Sequence, residues 1–298
     1  MILVAGSANL DFVVRAPRIP GRGETVLGRG FRTFPGGKGA NQAIACARAG
    51  GAETTMLLAL GDDAFAAPLE ASLNDAGVHL HIVRVEGEPT GTAFICVADD
   101  AENAITVVPG ANDALRESHL PSLAGITHLL MQLETPVETV YAYAKAARSK
   151  GVTVILNAAP ARQLPLELLA EIDVLVVNQG ELAIVSAHDG DIRECLDRID
   201  VPCVVVTLGA EGCRAHSRGG ESIRQAAYPV NAIDTTAAGD TFCGALVAAL
   251  GRQLGLREAL RYASAAAALA CTRSGAQPSI PTEAETLGFL KSQTGDSP

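Results

Sequence analysis

No CxxC pair occurs anywhere in the 298 residues, and the seven cysteines (Cys46, Cys96, Cys195, Cys203, Cys213, Cys243 and Cys271) are odd in number and scattered through apolar stretches. That pattern fits buried thiols in a reducing cytoplasm better than a disulfide framework or a cysteine-based zinc site. The six histidines form no HExxH; the one close pair, His79 and His81, falls in "VHLHIVRV", where strand periodicity turns both toward a surface. No apolar run reaches the roughly 18 residues that a membrane span requires. The start, "MILVAGSANLD", has no basic segment and too short an apolar run for a signal peptide. Also missing are GxGxxG after the first strand, GxxxxGK[ST] and GxSxG, which disfavours dinucleotide, Walker-type and hydrolase sites. With a net charge of −10 the chain has no general attraction for nucleic acid or an anionic membrane. The expectation is a soluble cytoplasmic protein whose partner is a small molecule.

The composition, 48% hydrophobic, is that of a globular protein, and the length suits one large α/β domain or two smaller ones. The runs "MILVAG", "TTMLLAL", "ITHLLMQL", "VTVILN", "DVLVVN" and "CVVVTLG" are nearly continuous in hydrophobicity, as strands covered on both faces are. Between strands, "GANQAIACARAG", "VETVYAYAKAARSKG" and "REALRYASAAAALACTRSG" carry helical spacing. The expected fold is α/β: a doubly wound, mostly parallel sheet with helices on both faces. Two regions, about residues 12–34 and 90–108, are pairs of strand-like runs without a crossover helix of their own. They predict a small antiparallel β sheet that acts as a lid, with an edge extension or a dimer contact as the plainer reading.

Two stretches carry chemistry. Asp234 and Asp240 bracket "DTTAAGDTFC" ahead of the helix-like "GALVAALG". Locally, three readings stay open: a turn with an N-capped helix, a divalent-metal site, or an anion-binding helix start with a catalytic carboxylate at its mouth. The second stretch, "GGKGANQAIACARAG" at 36–50, is a helix start whose glycines let another backbone approach. Together the two resemble the paired signatures of the ribokinase family of carbohydrate kinases, also called the PfkB family. The likeness continues through "GSANLD", "QLETP", "NAAPAR", "VNQGE", "TLGAEG" and "TRSGAQPSIP", across essentially the whole chain.

The resemblance implies one ribokinase-like kinase domain over 1–298 and phosphorylation of D-ribose at its 5-hydroxyl by ATP, with Mg2+ and an activating K+. It implies that Asp240 is the base that takes the hydroxyl proton. The backbone N–H groups of Ala237, Ala238 and Gly239 would hold the charge that develops on the phosphoryl oxygens. Sugar contacts are implied for Asn9, Asp11, Gly37, Lys38, Asn41 and Glu134 as well as Asp240. Nucleotide contacts are implied for Asn178, Thr207, Gly209, Gly212, Gly239 and Ser264, and Glu181 of "NQGE" would meet magnesium through water. A monovalent-cation site is implied at Asp234, Thr236, Ala270, Arg273, Gly275 and Ser279, largely through backbone oxygens. Two positions depart from the family pattern: Ser264 stands where a larger polar residue often faces the adenine, and Ala158 in "NAAPA" replaces a common proline.

With Lys38 as the only cation expected around the sugar, the substrate should be an uncharged polyol. Read singly, Asn41 could cap its helix, Glu134 could simply precede one, and Asp234 could cap a turn. Other readings are a kinase of another small sugar or a nucleoside, a sugar-binding sensor without catalysis, and a dinucleotide-dependent oxidoreductase, the last disfavoured by the missing fingerprint. A homodimer through the lid is one way to protect the lid's exposed edges.

Overall fold

The computed structural model of the protein describes residues 1–100 and 102–293; residue 101, inside the second lid run, and residues 294–298 of the expected 1–298 domain lie outside the described residues. The first seven strands are β1 (Ile2–Ala5), β2 (Asn9–Arg15), β3 (Gly30–Gly36), β4 (Thr54–Gly61), β5 (His79–Val85), β6 (Thr92–Val97) and β7 (Asn103–Val108). The remaining six are β8 (His128–Met131), β9 (Thr153–Asn157), β10 (Val174–Asn178), β11 (Cys203–Thr207), β12 (Cys213–Ser217) and β13 (Ser222–Gln225).

Nine of them form one sheet in the order β13-β12-β11-β10-β9-β8-β1-β4-β5, parallel from β11 to β5 and antiparallel only at β12 and β13. All six apolar runs are strands of its parallel part. Both faces are covered, and successive residues of a strand divide between them. Ile2 and Val4 join a core with the helices Lys38–Ile44, Ala66–Asp75, Ala238–Gly251 and Leu256–Cys271, whereas Leu3 and Ala5 join a core with the helices Val137–Ser149, Leu166–Leu169, Gln179–Ser186 and Ile192–Leu196. A side-chain period of two explains why the strand sequences look uniformly apolar: each position faces a core, only a different one. His79 and His81 are both exposed on the edge strand β5, as expected. All seven cysteines are free thiols. Among the described residues no helix is long and apolar enough to cross a membrane.

A second sheet of four strands, in the order β3-β2-β6-β7, stands apart from the first. The pairs β2–β3 and β6–β7 are antiparallel, and β2 and β6 join them in parallel register, Asp11 opposite Ala93 and Phe12 opposite Phe94. The sheet begins at Asn9, slightly earlier than the sequence pattern suggests, so Asn9 and Asp11 lie on its strand β2 while following directly on β1. The alternation gives it two faces. Ala93, Ile95, Ile105 and Val107 face a cavity, whereas Phe12, Phe31 and Phe94 stack on the opposite face, with Phe65 of the main body edge-on to Phe12.

The chain order reverses at β1, with β4 and β5 on one side of it and β8 to β11 on the other. In open α/β sheets the crevice beyond the carboxyl ends of the strands at such a switch point is where ligands bind. Here those ends carry Gln132, Asn157, Asn178 and Thr207, polar residues that close otherwise apolar strands.

Candidate active site

Beneath the small sheet and beyond β1, β8 and β9 lies a cavity of about 460 Å³. It brings together Asn9, Asp11, Gly37, Lys38, Asn41, Glu134 and Asp240, the whole set expected around a sugar, with Thr236 and Ala237 at the same cavity. Glycines make the crowding possible. Gly37 has φ +90°, and a Cβ on it would stand 2.7 Å from the backbone N of Asn9; a Cβ on Gly91 would stand 2.3 Å from Asn9 Oδ1.

Asp240 occupies the first turn of the helix Ala238–Gly251 and is buried. Its Oδ2 accepts from Asn41 Nδ2 at 3.0 Å and its Oδ1 from Gln42 Nε2 at 2.9 Å, so two amides from one helix hold the two oxygens. Asn41 Oδ1 is buried and has no partner among the described residues, which leaves an acceptor at the cavity for a hydroxyl. Glu134 Oε2 accepts from Ser7 Oγ at 2.5 Å and from the Lys38 backbone N–H at 3.0 Å. Asn9 is oriented through its Oδ1, which accepts from Asn112 Nδ2 at 2.8 Å.

Asp11, Glu134 and Asp240 crowd negative charge into one place. Burial, with the neighbouring carboxylates of Glu134 and Asp240, pushes the Asp11 carboxyl up to about 7. Burial pulls the Lys38 ammonium down, but the carboxylates of Asp240, Glu134 and Glu181 outweigh it and leave the ammonium firmly charged. Burial also raises Glu181 against the opposing effects of its hydrogen bond with Asn178 and of Lys38.

At the helix start, Ala237 takes a left-handed conformation with φ 58°. The Ala238 N–H donates to Thr235 O at 3.2 Å and so is engaged within the turn. Among the described residues the N–H groups of Ala237 and Gly239 make no such bond. The loop is stapled by Asp234: Oδ1 accepts from Thr236 N–H at 2.9 Å and Oγ–H at 2.6 Å, and Oδ2 from Gly275 N–H at 2.9 Å. These bonds and Arg15 outweigh the effect of burial and hold its carboxyl below the usual range. Asp234 therefore brings the 234–236 loop against the segment that carries Ala270, Gly275 and Ser279. The Arg273 guanidinium turns away to Glu285 at 2.7 Å, so only its backbone could serve a cation there.

The residues expected for a nucleotide lie outside this cavity. Asn178 and Glu181 form a capping box, each backbone N–H donating to the other's side chain, at 2.7 Å and 2.8 Å. Thr207 ends β11, and Gly209 has φ +55° with open space around it. Gly212 has a structural need of its own, since a Cβ there would meet Gln225 O at 2.1 Å. Ser264 is buried with its Oγ 3.8 Å from Cys213 Sγ, and the buried Ala158 backbone N–H donates to Val176 O. Among the described residues no cluster of three acidic, histidine or cysteine side chains could hold a metal by itself.

Several residues here were not singled out in the sequence. Gln42 and Asn112 are fully buried amides beside named ones, and only the adjacency of Gln42 to Asn41 in "GANQ" could have marked it. Arg162 of "NAAPAR" is an exposed side chain that also lines the cavity, so Lys38 is not the only cation there. No local pattern marks it, because it stands in the loop after β9 and its place at the cavity depends only on the tertiary fold.

A parallel sheet covered on both faces, a small sheet roofing its switch point, and a buried carboxylate at a helix start define an α/β protein with a ligand site at the carboxyl ends of its strands. The chain belongs to the pfkB family of carbohydrate kinases, whose sequence profile matches residues 1–283. It is 41% identical to a ribokinase of Haemophilus influenzae over 97% of this chain and 98% of that one. To a ribokinase of Bacillus subtilis it is 38% identical, over 97% and 99%. Among solved structures it resembles Arabidopsis thaliana ribokinase complexed with ribose and ATP, with a TM-score of 0.89 and 35% identity over 97% of this chain and 98% of that one.

Proposed function

We propose that the chain transfers the γ-phosphoryl group of ATP to the 5-hydroxyl of D-ribose, giving ribose 5-phosphate and ADP. The observation that carries this is Asp240: its carboxylate lies at the cavity, held by two amides, at the start of a helix whose Ala237 and Gly239 N–H groups are free. In this reading Asn9, Asp11, Asn41 and Glu134 bond the sugar hydroxyls. Asp240 takes the proton of the attacking hydroxyl, and the helix start holds the charge of the transferring group. The charges at the cavity support a neutral substrate, since Asp11, Asp113, Glu134 and Asp240 face only Lys38 and Arg162. The four-stranded sheet acts as a lid that keeps water from the transfer.

ATP belongs beyond the helix start, toward Asn178, Thr207, Gly209, Gly212 and Ser264. Glu181 would meet magnesium through water, and the ion would neutralise phosphate charge. Potassium fits Asp234 with the backbone oxygens of Thr236, Ala270, Arg273, Gly275 and Ser279, hard donors suited to such an ion, and would strengthen the field at the helix start. Exposed Phe31, Phe94 and Val108 on the lid support a homodimer through it.

The test is ADP release with ribose, 2-deoxyribose, fructose and adenosine at limiting concentration. Ribose should exceed 2-deoxyribose in kcat/KM by about tenfold or more, because a buried partner left unpaired penalises the analogue. A higher value for fructose or adenosine would contradict the ribose assignment and leave the kinase assignment standing.

A further inference from the structure

Behind Asp240, away from the cavity, runs a chain of buried amides. Gln42 is fully buried, does not line the cavity, and donates from Nε2 both to Asp240 Oδ1 at 2.9 Å and to Asn157 Oδ1 at 3.0 Å. Its Oε1 accepts from Gln132 Nε2 at 2.6 Å, and Asn157 Nδ2 donates to Val176 O at 3.1 Å. The direction of every bond follows from the carboxylate. An ionised Asp240 can only accept, so Gln42 must present its NH2 to it and its oxygen to Gln132. Gln132 must then present its own NH2, and Asn157 its oxygen. Turning the Gln42 amide over would set its oxygen against both Asp240 Oδ1 and Asn157 Oδ1.

We propose that Gln42 is a positioning residue for phosphoryl transfer: it locks the Asp240 carboxylate to the ends of β8, β9 and β10, so that the base is aimed by the main sheet and not only by its own helix. Asn41 by itself could follow a swing of the carboxylate, since it grips one oxygen from the cavity side. Gln42 grips the other oxygen from behind and is wired to three strands. The backbone geometry serves this reach. The helix Lys38–Ile44 comes so close to Ala238–Gly251 that a Cβ on Gly244 would lie 2.5 Å from Gln42 O. The charged and titratable groups that act on Asp240 or stand beside it are Asp11 of β2, Lys38, Glu134 after β8, Glu181, and Cys243 on its own helix.

The inference rests on Asp240 being the base, and the test separates the two. Gln42→Glu, Gln132→Met and Asp240→Asn are compared with the unaltered enzyme by kcat at saturating ribose against pH and by calorimetric ribose affinity. Gln42→Glu sets a second carboxylate against Oδ1. It should lower kcat by about tenfold to a hundredfold through misalignment and move the acid limb of kcat to higher pH, while ribose Kd changes by less than about threefold because the sugar contacts are intact. Gln132→Met leaves Asp240 and its two donors in place but removes the donor that anchors Gln42 Oε1 beside β8, so that Gln42 is held less firmly, and should lower kcat by about fivefold at constant ribose Kd. If Gln42→Glu does not fold, Gln132→Met decides alone. Normal kcat in the folded variants, an unmoved acid limb in Gln42→Glu, or a loss confined to ribose affinity or melting temperature would overturn the inference. Full turnover in Asp240→Asn would remove the base and the inference together. An inactive Asp240→Asn with normal Gln42 and Gln132 variants would remove only the inference.

Discussion

Asn41 and Asp240 are 199 positions apart in sequence, yet Asn41 Nδ2 donates to Asp240 Oδ2 at 3.0 Å. The bond joins the starts of two helices, Lys38–Ile44 and Ala238–Gly251, which pack side by side over one face of the sheet. The two stretches that carried the resemblance are thus one object in space: a pair of helix starts, one presenting amides and the other the carboxylate they hold.

That packing depends on the absence of side chains. A Cβ on Gly244 would lie 2.5 Å from both Ala45 Cβ and Gln42 O. Gly244→Ala should therefore push the helices apart and destabilise the fold by about 1–3 kcal/mol, the usual cost of overpacking. Chemical denaturation would measure it; an unchanged midpoint would mean that the seam yields freely.

Asp11 predicts a pH dependence. Its carboxyl, raised to about 7 from an ordinary value of 3.8, binds a proton in the folded protein where the unfolded chain has released it. The stability this contributes is fully present below the ordinary value and is lost as pH rises through about 7. Asp11→Asn removes the titration, so the melting temperature of the variant relative to the unaltered protein should be more favourable at alkaline pH than at mildly acidic pH. Equal differences at both would contradict the raised carboxyl. Ribose affinity should tighten as pH rises toward neutrality, since the ionised form accepts from two hydroxyls, and Asp11→Asn should abolish that dependence.

The fold was largely legible in the sequence, because a parallel sheet buried on both faces writes itself as uninterrupted apolar runs, and β1, β4, β8, β9, β10 and β11 each do so. The β12–β13 hairpin was not legible: "CRAHS" and "SIRQ" are short, polar and at the sheet's end, so no periodicity marks them. Glycines, aspartates and a lysine in a family pattern pointed to the cavity set. Gln42, Gln132, Asn157 and Asn112 left no such mark. Their role depends on which buried amide faces which across strands far apart in sequence, and no local pattern records that.

Asp234 predicts cation dependence. Its oxygens bind the 236 and 275 backbones together, in reach of the carbonyl-rich 270–279 segment. Turnover in a buffer of a bulky organic cation should rise when potassium is added, less with sodium, and Asp234→Ala should lose the response. Indifference of the unaltered enzyme to potassium would leave Asp234 as a turn residue only.

The lid's stacked rings predict an oligomer. Phe31 and Phe94 are exposed by 61% and 52% although both stack on Phe12, an apolar face that a second copy would cover. Sedimentation should give a dimer, and Phe94→Glu should shift it toward monomer. A monomeric unaltered protein at micromolar concentration would contradict the lid-mediated dimer.

The central claim is that the Asp240 carboxylate takes the proton of the sugar hydroxyl. Asp240→Asn keeps the size of the side chain and one acceptor oxygen but removes its basicity. With saturating ribose and ATP, kcat of this variant should fall by about 10²-fold to 10⁴-fold, the range for a lost general base, with calorimetric ribose affinity nearly unchanged. Turnover close to that of the unaltered enzyme would contradict the account.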